Sequence, residues 1–457
     1  MILMIAIISL LFIFRTNLQL YSYLNVPQML VSTKKDKYDN IRLVAFGTSD
    51  TYGAGMSSDL NRESLTYPKL LSQGAKNYAI RASSPNYPRA CAQSMISDEI
   101  FDVIVLEYFI RGYAGLIPLV KRLRERFPDS LIIILREWNP HMNVIVEEYI
   151  ETNEMKGKKN TMTACGWIQK NNFDIYDHNQ LKKAMDESKE NDNIKWKWTK
   201  ILDQDKINIQ EKAANLFGAY ILPMDRPDHP EDWIKYAHLF ANDCHHKSAQ
   251  GHEDVAKRIR QFIKWKGITK QPRVNEWGYH DSCVSWFESG DTSGIEYTKN
   301  IKLEKFANKN GPKFALSFFQ NAGSITLTNP SKNYMALYLA YMTTGPGTSK
   351  YPKTEVQIIH ASGDMAENNQ PNIPYTITLD VQASNAWGNS GVDVHVQKLK
   401  EIGMIPPGQT ILNFKALNKT QWPFRLVSVV VSRKDEEGYP NDGLTTIPGD
   451  NLNLFHT

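Results

Sequence analysis

Two short stretches, far apart in the chain, carry residue types that can attack a carbonyl carbon. The first is Phe46-Gly47-Thr48-Ser49-Asp50-Thr51-Tyr52-Gly53. It follows a continuously apolar run, so its serine stands just past a buried strand, where open α/β sheets place their sites. Glycines on both sides permit the tight turn that lifts a hydroxyl clear. The second stretch is Asn242-Asp243-Cys244-His245-His246-Lys247-Ser248-Ala249-Gln250-Gly251-His252. A serine nucleophile needs an imidazole to take its proton and a carboxylate to hold that imidazole in one tautomer. Asp and His three residues apart can meet within a turn. Two other readings of the stretch stay open. It can be a solvated loop capping a helix, or Asp243, His245, His246 and His252 can ligate a metal. No further His/Asp/Glu cluster with ligand spacing stands out in this half of the chain.

Together the two stretches resemble the SGNH (GDSL-type) hydrolase family. Its first block, Gly-Asp-Ser-x-Thr-x-Gly, is matched by Gly47-Thr48-Ser49-Asp50-Thr51-Tyr52-Gly53, with Thr48 in place of the aspartate. Its last block, Asp-x-x-His followed by Gly-His, is matched by Asp243-x-x-His246 and Gly251-His252. The Gly-His pair sets the register on His246 rather than His245. The resemblance spans roughly residues 41–265. It implies Ser49 as nucleophile, His246 as base and Asp243 as orienting acid, with no cofactor and no metal. Oxyanion donors would come from Ser49, Ala82 and Arg111. The middle blocks diverge: Asn77-Tyr78-Ala79-Ile80-Arg81-Ala82 ends in alanine where the family has glycine, and Arg111 stands in place of the family asparagine. One lost oxyanion donor costs about 10²–10³ in turnover. The resemblance therefore implies a serine esterase or acyltransferase-like hydrolase acting on ester groups of glycans or lipids. The alternatives are a non-catalytic binding protein of the same fold and a metal-dependent hydrolase.

Composition bounds the partners. The chain has 457 residues, 53 Lys plus Arg against 49 Asp plus Glu, 42% apolar and 11% aromatic residues. This balance excludes a mainly disordered chain, a collagen or a coiled coil. A net charge of +4 gives no reason to expect a nucleic-acid partner. Four cysteines without a Cys-x-x-Cys pair permit at most two bridges and exclude a zinc ribbon. Residues 1–14 contain no charged side chain and end at Arg15. As a helix they would rise roughly 21 Å, short of a ~30 Å hydrocarbon core. That suits a signal peptide or, extended by Leu18, Leu20 and Leu24, a single-pass membrane anchor. Residues 1–38 are accordingly read as targeting segment and stalk, and the protein as secretory, anchored or secreted. There is no Gly-x-Ser-x-Gly elbow, P-loop or His-Glu-x-x-His.

The elements that must position these residues follow from hydrophobic period. Arg42–Phe46, Asn77–Ile80, Asp102–Leu106, Leu131–Leu135 and Ala219–Pro223 are short apolar runs separated by helical patterns. Strand–helix alternation predicts a flavodoxin-like parallel sheet with helices on both faces, over 39–268. Within it, a Lys- and Asn-rich insertion at about 140–217 reads as a helical, surface-lying segment. After residue 268 the period changes to two, and eight strands between Lys313 and Ser432 predict an all-β sandwich over 269–457 that contributes nothing to the site. Trp277, Trp286, Trp387 and Trp422 suit either its core or sugar stacking. Cys283 is a disulfide candidate with no partner legible.

Overall fold

The computed structural model describes most of residues 40–433. Residues 1–39, read above as targeting segment and stalk, lie outside the described residues, as do Ala82, 109–114 with Arg111, 151–157, 344–350, 361–374, 382–395 with Trp387, and 434–457.

Four strands appear in succession: β1 (Leu43–Gly47), β2 (Lys76–Asn77), β3 (Val103–Glu107) and β4 (Leu131–Arg136). An insertion contributes β5 (Val144–Ile150), β6 (Lys158–Thr163) and β7 (Ile194–Trp198), after which β8 (Tyr220–Pro223) completes the first sheet. Its order is β2-β1-β3-β4-β8, with every neighbouring pair parallel. Without the insertion this is 2-1-3-4-5, a doubly wound order whose direction reverses between β1 and β3. β1 and β3 are buried at every position. The helices α1 (Ser49–Tyr52), α2 (Asn86–Ile96), α3 (Leu116–Arg126), α4 (Gln204–Phe217) and α5 (Ala249–Lys266) connect and cover them. Leu116, Leu119, Val120 and Leu123 of α3 pack against Phe46, Ile104, Leu106 and Ile134 on one face. Residues of the opposite face, including Ala45, Val105 and Ile133, are as fully buried, as is the Val255–Ile259–Ile263 stripe of α5. Each large apolar side chain buried this way contributes about 1.5–3 kcal/mol.

The insertion differs from the helical segment that its charge suggests. β5, β6 and β7 form an antiparallel sheet in the order β6-β5-β7, with two helices, Ala164–Lys170 and His178–Lys189, beside it. The reason is visible in Ile194-Lys195-Trp196-Lys197-Trp198, where half-buried and exposed residues alternate. Lysine masks a two-residue period when only charge is counted.

The second half is a sandwich of two antiparallel sheets. Its strands are β9 (Ser282–Ser285), β10 (Glu296–Tyr297), β11 (Ile301–Asn308), β12 (Gly311–Phe318), β13 (Gly323–Asn329), β14 (Met335–Thr343), β15 (Thr354–His360), β16 (Tyr375–Leu379), β17 (Val396–Ile405), β18 (Gly408–Ala416) and β19 (Phe424–Ser432). One sheet runs β10-β13-β18-β15-β16; the other runs β11-β12-β19-β14-β17, with β9 added on β19. β9, β10 and β11 lie before the expected strands, and β17 runs well beyond Gln397. β13 and β15 alternate buried and half-buried positions, but β14 is buried throughout. Such a strand is covered on both faces. Tyr87, Ala90 and Cys91 of α2 belong to the sandwich's own hydrophobic cluster. Trp286 is buried in that cluster with its indole N–H on the Leu426 carbonyl at 2.8 Å, and Trp422 packs on Tyr351. Trp277 packs against Phe127 of the first half. These three are packing residues.

Both possible disulfides form: Cys91–Cys283 and Cys165–Cys244. Among the described residues, no helix is long and apolar enough to cross a membrane.

Candidate active site

Ser49 opens α1 directly after β1, at the carboxyl edge of the sheet. The turn needs its glycines. A Cβ on Gly47 would stand 2.1 Å from Thr51 Oγ1 and 2.9 Å from Glu107 Oε2, and Gly53 ends α1 at φ +84°. As the first residue of a helical turn, Ser49 also presents a backbone N–H with no partner inside the helix.

His246 comes to this serine from the loop before α5. Its Nε2 lies 2.9 Å from Ser49 Oγ, and its Nδ1 lies 2.6 Å from Asp243 Oδ2. The other carboxylate oxygen, Asp243 Oδ1, accepts the backbone N–H groups of His245 and His246, both at 3.0 Å. Ser49 and His246 are buried, and Asp243 stays half-exposed. Partial burial raises the Asp243 pKa, but the imidazole and the two amides outweigh it and hold the carboxyl down at about 2. An ionised carboxylate only accepts, so Nδ1 carries the proton and Nε2 turns its lone pair to the hydroxyl. That is the tautomer a general base requires.

The other two histidines of this stretch face elsewhere. Asn139 Nδ2 donates to His245 Nδ1 at 3.2 Å. His252 Nδ1 accepts the Tyr67 N–H at 3.2 Å, deep in the fold. With both His246 nitrogens engaged as well, the histidines do not converge as ligands. A different group with metal-ligand spacing does exist, against expectation from sequence. One oxygen each from Asp50, Glu107 and Glu137 lie within 4.8 Å of one another, all buried.

This carboxylate group sits behind the serine and organises its loop. Glu107, the last residue of β3, accepts from Thr48 N–H at 2.9 Å, Thr48 Oγ1 at 2.8 Å and Thr51 Oγ1 at 3.1 Å through one oxygen. Asp50 Oδ1 accepts the Lys247 N–H at 2.9 Å, and Lys247 Nζ lies 3.9 Å from Glu137 Oε2. The cation beside these acids is thus an ammonium, and Glu107 Oε2 is taken up by hydroxyl and amide donors. Burial raises Glu107 well above the carboxylate range, with the neighbouring acids adding to it. Glu137 is pushed up to about 7 by burial, Lys247 opposing and Asp50 reinforcing. Asn77, from the second resembling block, ties the same loop to β2: its Nδ2 donates to the Thr51 carbonyl at 2.8 Å. Glu107 and Glu137 were not foreseen as site residues. The signal was there, since each is an acid ending or just following a continuously apolar strand. Ala82 and Arg111, the other expected oxyanion donors, lie outside the described residues.

No protein-family model matches the chain, and no curated protein does. Solved structures do share the arrangement loosely. A two-domain esterase active on acetylated mannans is 14% identical, over 87% of this chain and 92% of its own, at a TM-score of 0.43. The CsCBM6-3 module from Clostridium stercorarium, in complex with cellobiose, is 15% identical over 34% of this chain and 94% of its own, at 0.20. A family 35 carbohydrate binding module from Clostridium thermocellum is 11% identical over 34% and 99%, at 0.21. Likenesses this faint do not bear on the chemistry of the site.

Proposed function

We propose that the protein is a serine hydrolase or acyltransferase that acts on ester groups of glycans or lipids through Ser49, His246 and Asp243. The observation that carries this reading is the hydrogen-bonded row Asp243–His246–Ser49 at the carboxyl edge of the sheet. In the proposed cycle Ser49 Oγ attacks the ester carbonyl carbon while His246 Nε2 takes the hydroxyl proton. Asp243 holds the imidazolium that results. The tetrahedral intermediate collapses, and His246 passes its proton to the departing alcohol, leaving an acyl group on Ser49. Water or a sugar hydroxyl then attacks the acyl-serine by the same proton path in reverse and restores the hydroxyl. The Ser49 N–H supports the developing oxyanion, and Ala82 and Arg111 are proposed as its further donors on the family resemblance.

A secretory location for this activity is part of the proposal. Two disulfides favour an oxidising compartment, in agreement with the apolar segment at 1–14. Hydrolysis of an activated acetate ester by the purified chain tests the chemistry. Ser49→Ala and His246→Gln are expected to lower kcat at least 10³-fold. Activity that survives both substitutions contradicts the proposed roles.

A further inference from the structure

The nucleophile and the base come from loops almost two hundred residues apart, yet their reacting atoms stand 2.9 Å from one another. One side chain spans the two loops immediately beside that pair. Asp50 follows Ser49, Lys247 follows His246, and the Asp50 carboxylate accepts the Lys247 N–H at 2.9 Å, fully buried. We propose that Asp50 is a positioning residue of the Ser49–His246 pair, holding the nucleophile's loop to the base's loop through the Lys247 amide. The inference rests on the hydrolase reading for its catalytic consequence, though not for its geometry.

The placement is costly for a merely structural contact. Asp50 shares its pocket with Glu107 and Glu137, with oxygens of all three within 4.8 Å. Three carboxyl groups at that spacing in a buried site cannot all ionise without strong mutual repulsion. An uncharged acceptor would satisfy a lone amide at less cost. An aspartate supplies a short, stiff reach, which fixes the spacing of two loops better than a long side chain does. The opposite flank of the serine is held in the same way, since Glu107 takes both the N–H and the hydroxyl of Thr48. Ser49 is therefore gripped on both sides, and Asp50 is the grip that reaches the base. Misplacing a reacting group by about 1 Å costs roughly 10² in rate.

The test compares full-length wild type with Asp50→Ala, Asp50→Ser and Asp50→Asn. Two quantities are read: the rate at which a fluorophosphonate labels Ser49, and the nitrogen-15 resonance of His246 Nε2, which reports the bond from the serine hydroxyl. Alanine and serine cannot reach the Lys247 amide, whereas the asparagine oxygen can. The expected result is labelling about 100-fold slower in Asp50→Ala and Asp50→Ser, with kcat rather than KM affected and the Nε2 resonance moved. Asp50→Asn should recover most of both. Folded Asp50→Ala or Asp50→Ser with unchanged labelling and an unmoved resonance would overturn the inference. A wild type that never labels would count against the hydrolase reading instead, and the resonance would then decide the role of Asp50 by itself.

Discussion

His252 lies in the first turn of α5, its Nδ1 on the Tyr67 amide and its Nε2 buried with no partner among the described residues. Burial, with Lys247 and His246 nearby, lowers its pKa to about 3. An unfolded chain titrates this histidine near 6.5. Its contribution to stability is therefore complete above about pH 6.5 and is lost as pH falls from there toward 3. Glu137 acts with the opposite sign. Raised to about 7, it contributes fully below the ordinary carboxylate range and loses that contribution as pH climbs through 7. Urea unfolding across pH should show His252→Asn, whose amide oxygen takes the Tyr67 N–H without gaining charge, with a flatter acid limb than wild type. Glu137→Gln should remove the fall in stability between about pH 4.5 and 7. Parallel wild-type and variant curves would contradict these assignments. Of the residues at the site, Ser49, Asp243 and His246 were legible because a local turn spacing and the Gly-His register betray them. The grouping of Asp50, Glu107 and Glu137 was not, although Glu107 and Glu137 each close an apolar run. Single acids at the ends of different strands have no spacing in common until the sheet brings them together.

Among the elements, the three buried strands β1, β3 and β4 could be read from continuous apolar runs, whereas β2 keeps only Lys76–Asn77 and β8 is half-buried. The insertion could not be read the same way, because alternating lysines hid β7. Its contact with the site was equally invisible. Cys165, in the helix Ala164–Lys170, bonds to Cys244, which stands between Asp243 and His245 in a left-handed conformation at φ 48°. Such a backbone is unfavourable by about 1–2 kcal/mol for a residue with a side chain, and the covalent tie holds it there. A loop of 79 residues closed by a disulfide gains roughly 4–5 kcal/mol on chain-entropy grounds. Cys165→Ser with Cys244→Ser should therefore lower the melting temperature and also slow Ser49 labelling. A double variant that is less stable yet labels at the wild-type rate would show that the insertion does not steady the Asp243–His246 loop.

For the whole molecule, the change of period after residue 268 revealed the sandwich but not its attachment. The described residues from Ile41 onward form one compact unit. Tyr87, Ala90 and Cys91 of α2 sit in the sandwich's core, and Cys91–Cys283 closes the junction. Asp281 accepts the N–H groups of Gln93 at 3.1 Å and Ser94 at 2.8 Å. Residues 39–268 expressed alone would expose that face of α2. They are expected to be poorly soluble or to melt well below the full chain, as followed by circular dichroism. A fragment as stable as the whole would mean the two halves share no essential core. The period of a sequence reports which faces are apolar; it does not report which partner covers them.

In the proposed chemistry Ser49 is a nucleophile activated by His246. Incubating the purified full chain with a fluorophosphonate and mapping the adduct by mass spectrometry tests it most directly. One covalent adduct is expected, on Ser49, absent in Ser49→Ala and formed at least 100-fold more slowly in His246→Gln. No adduct on the folded wild type, or one on another residue that persists in Ser49→Ala, would contradict it.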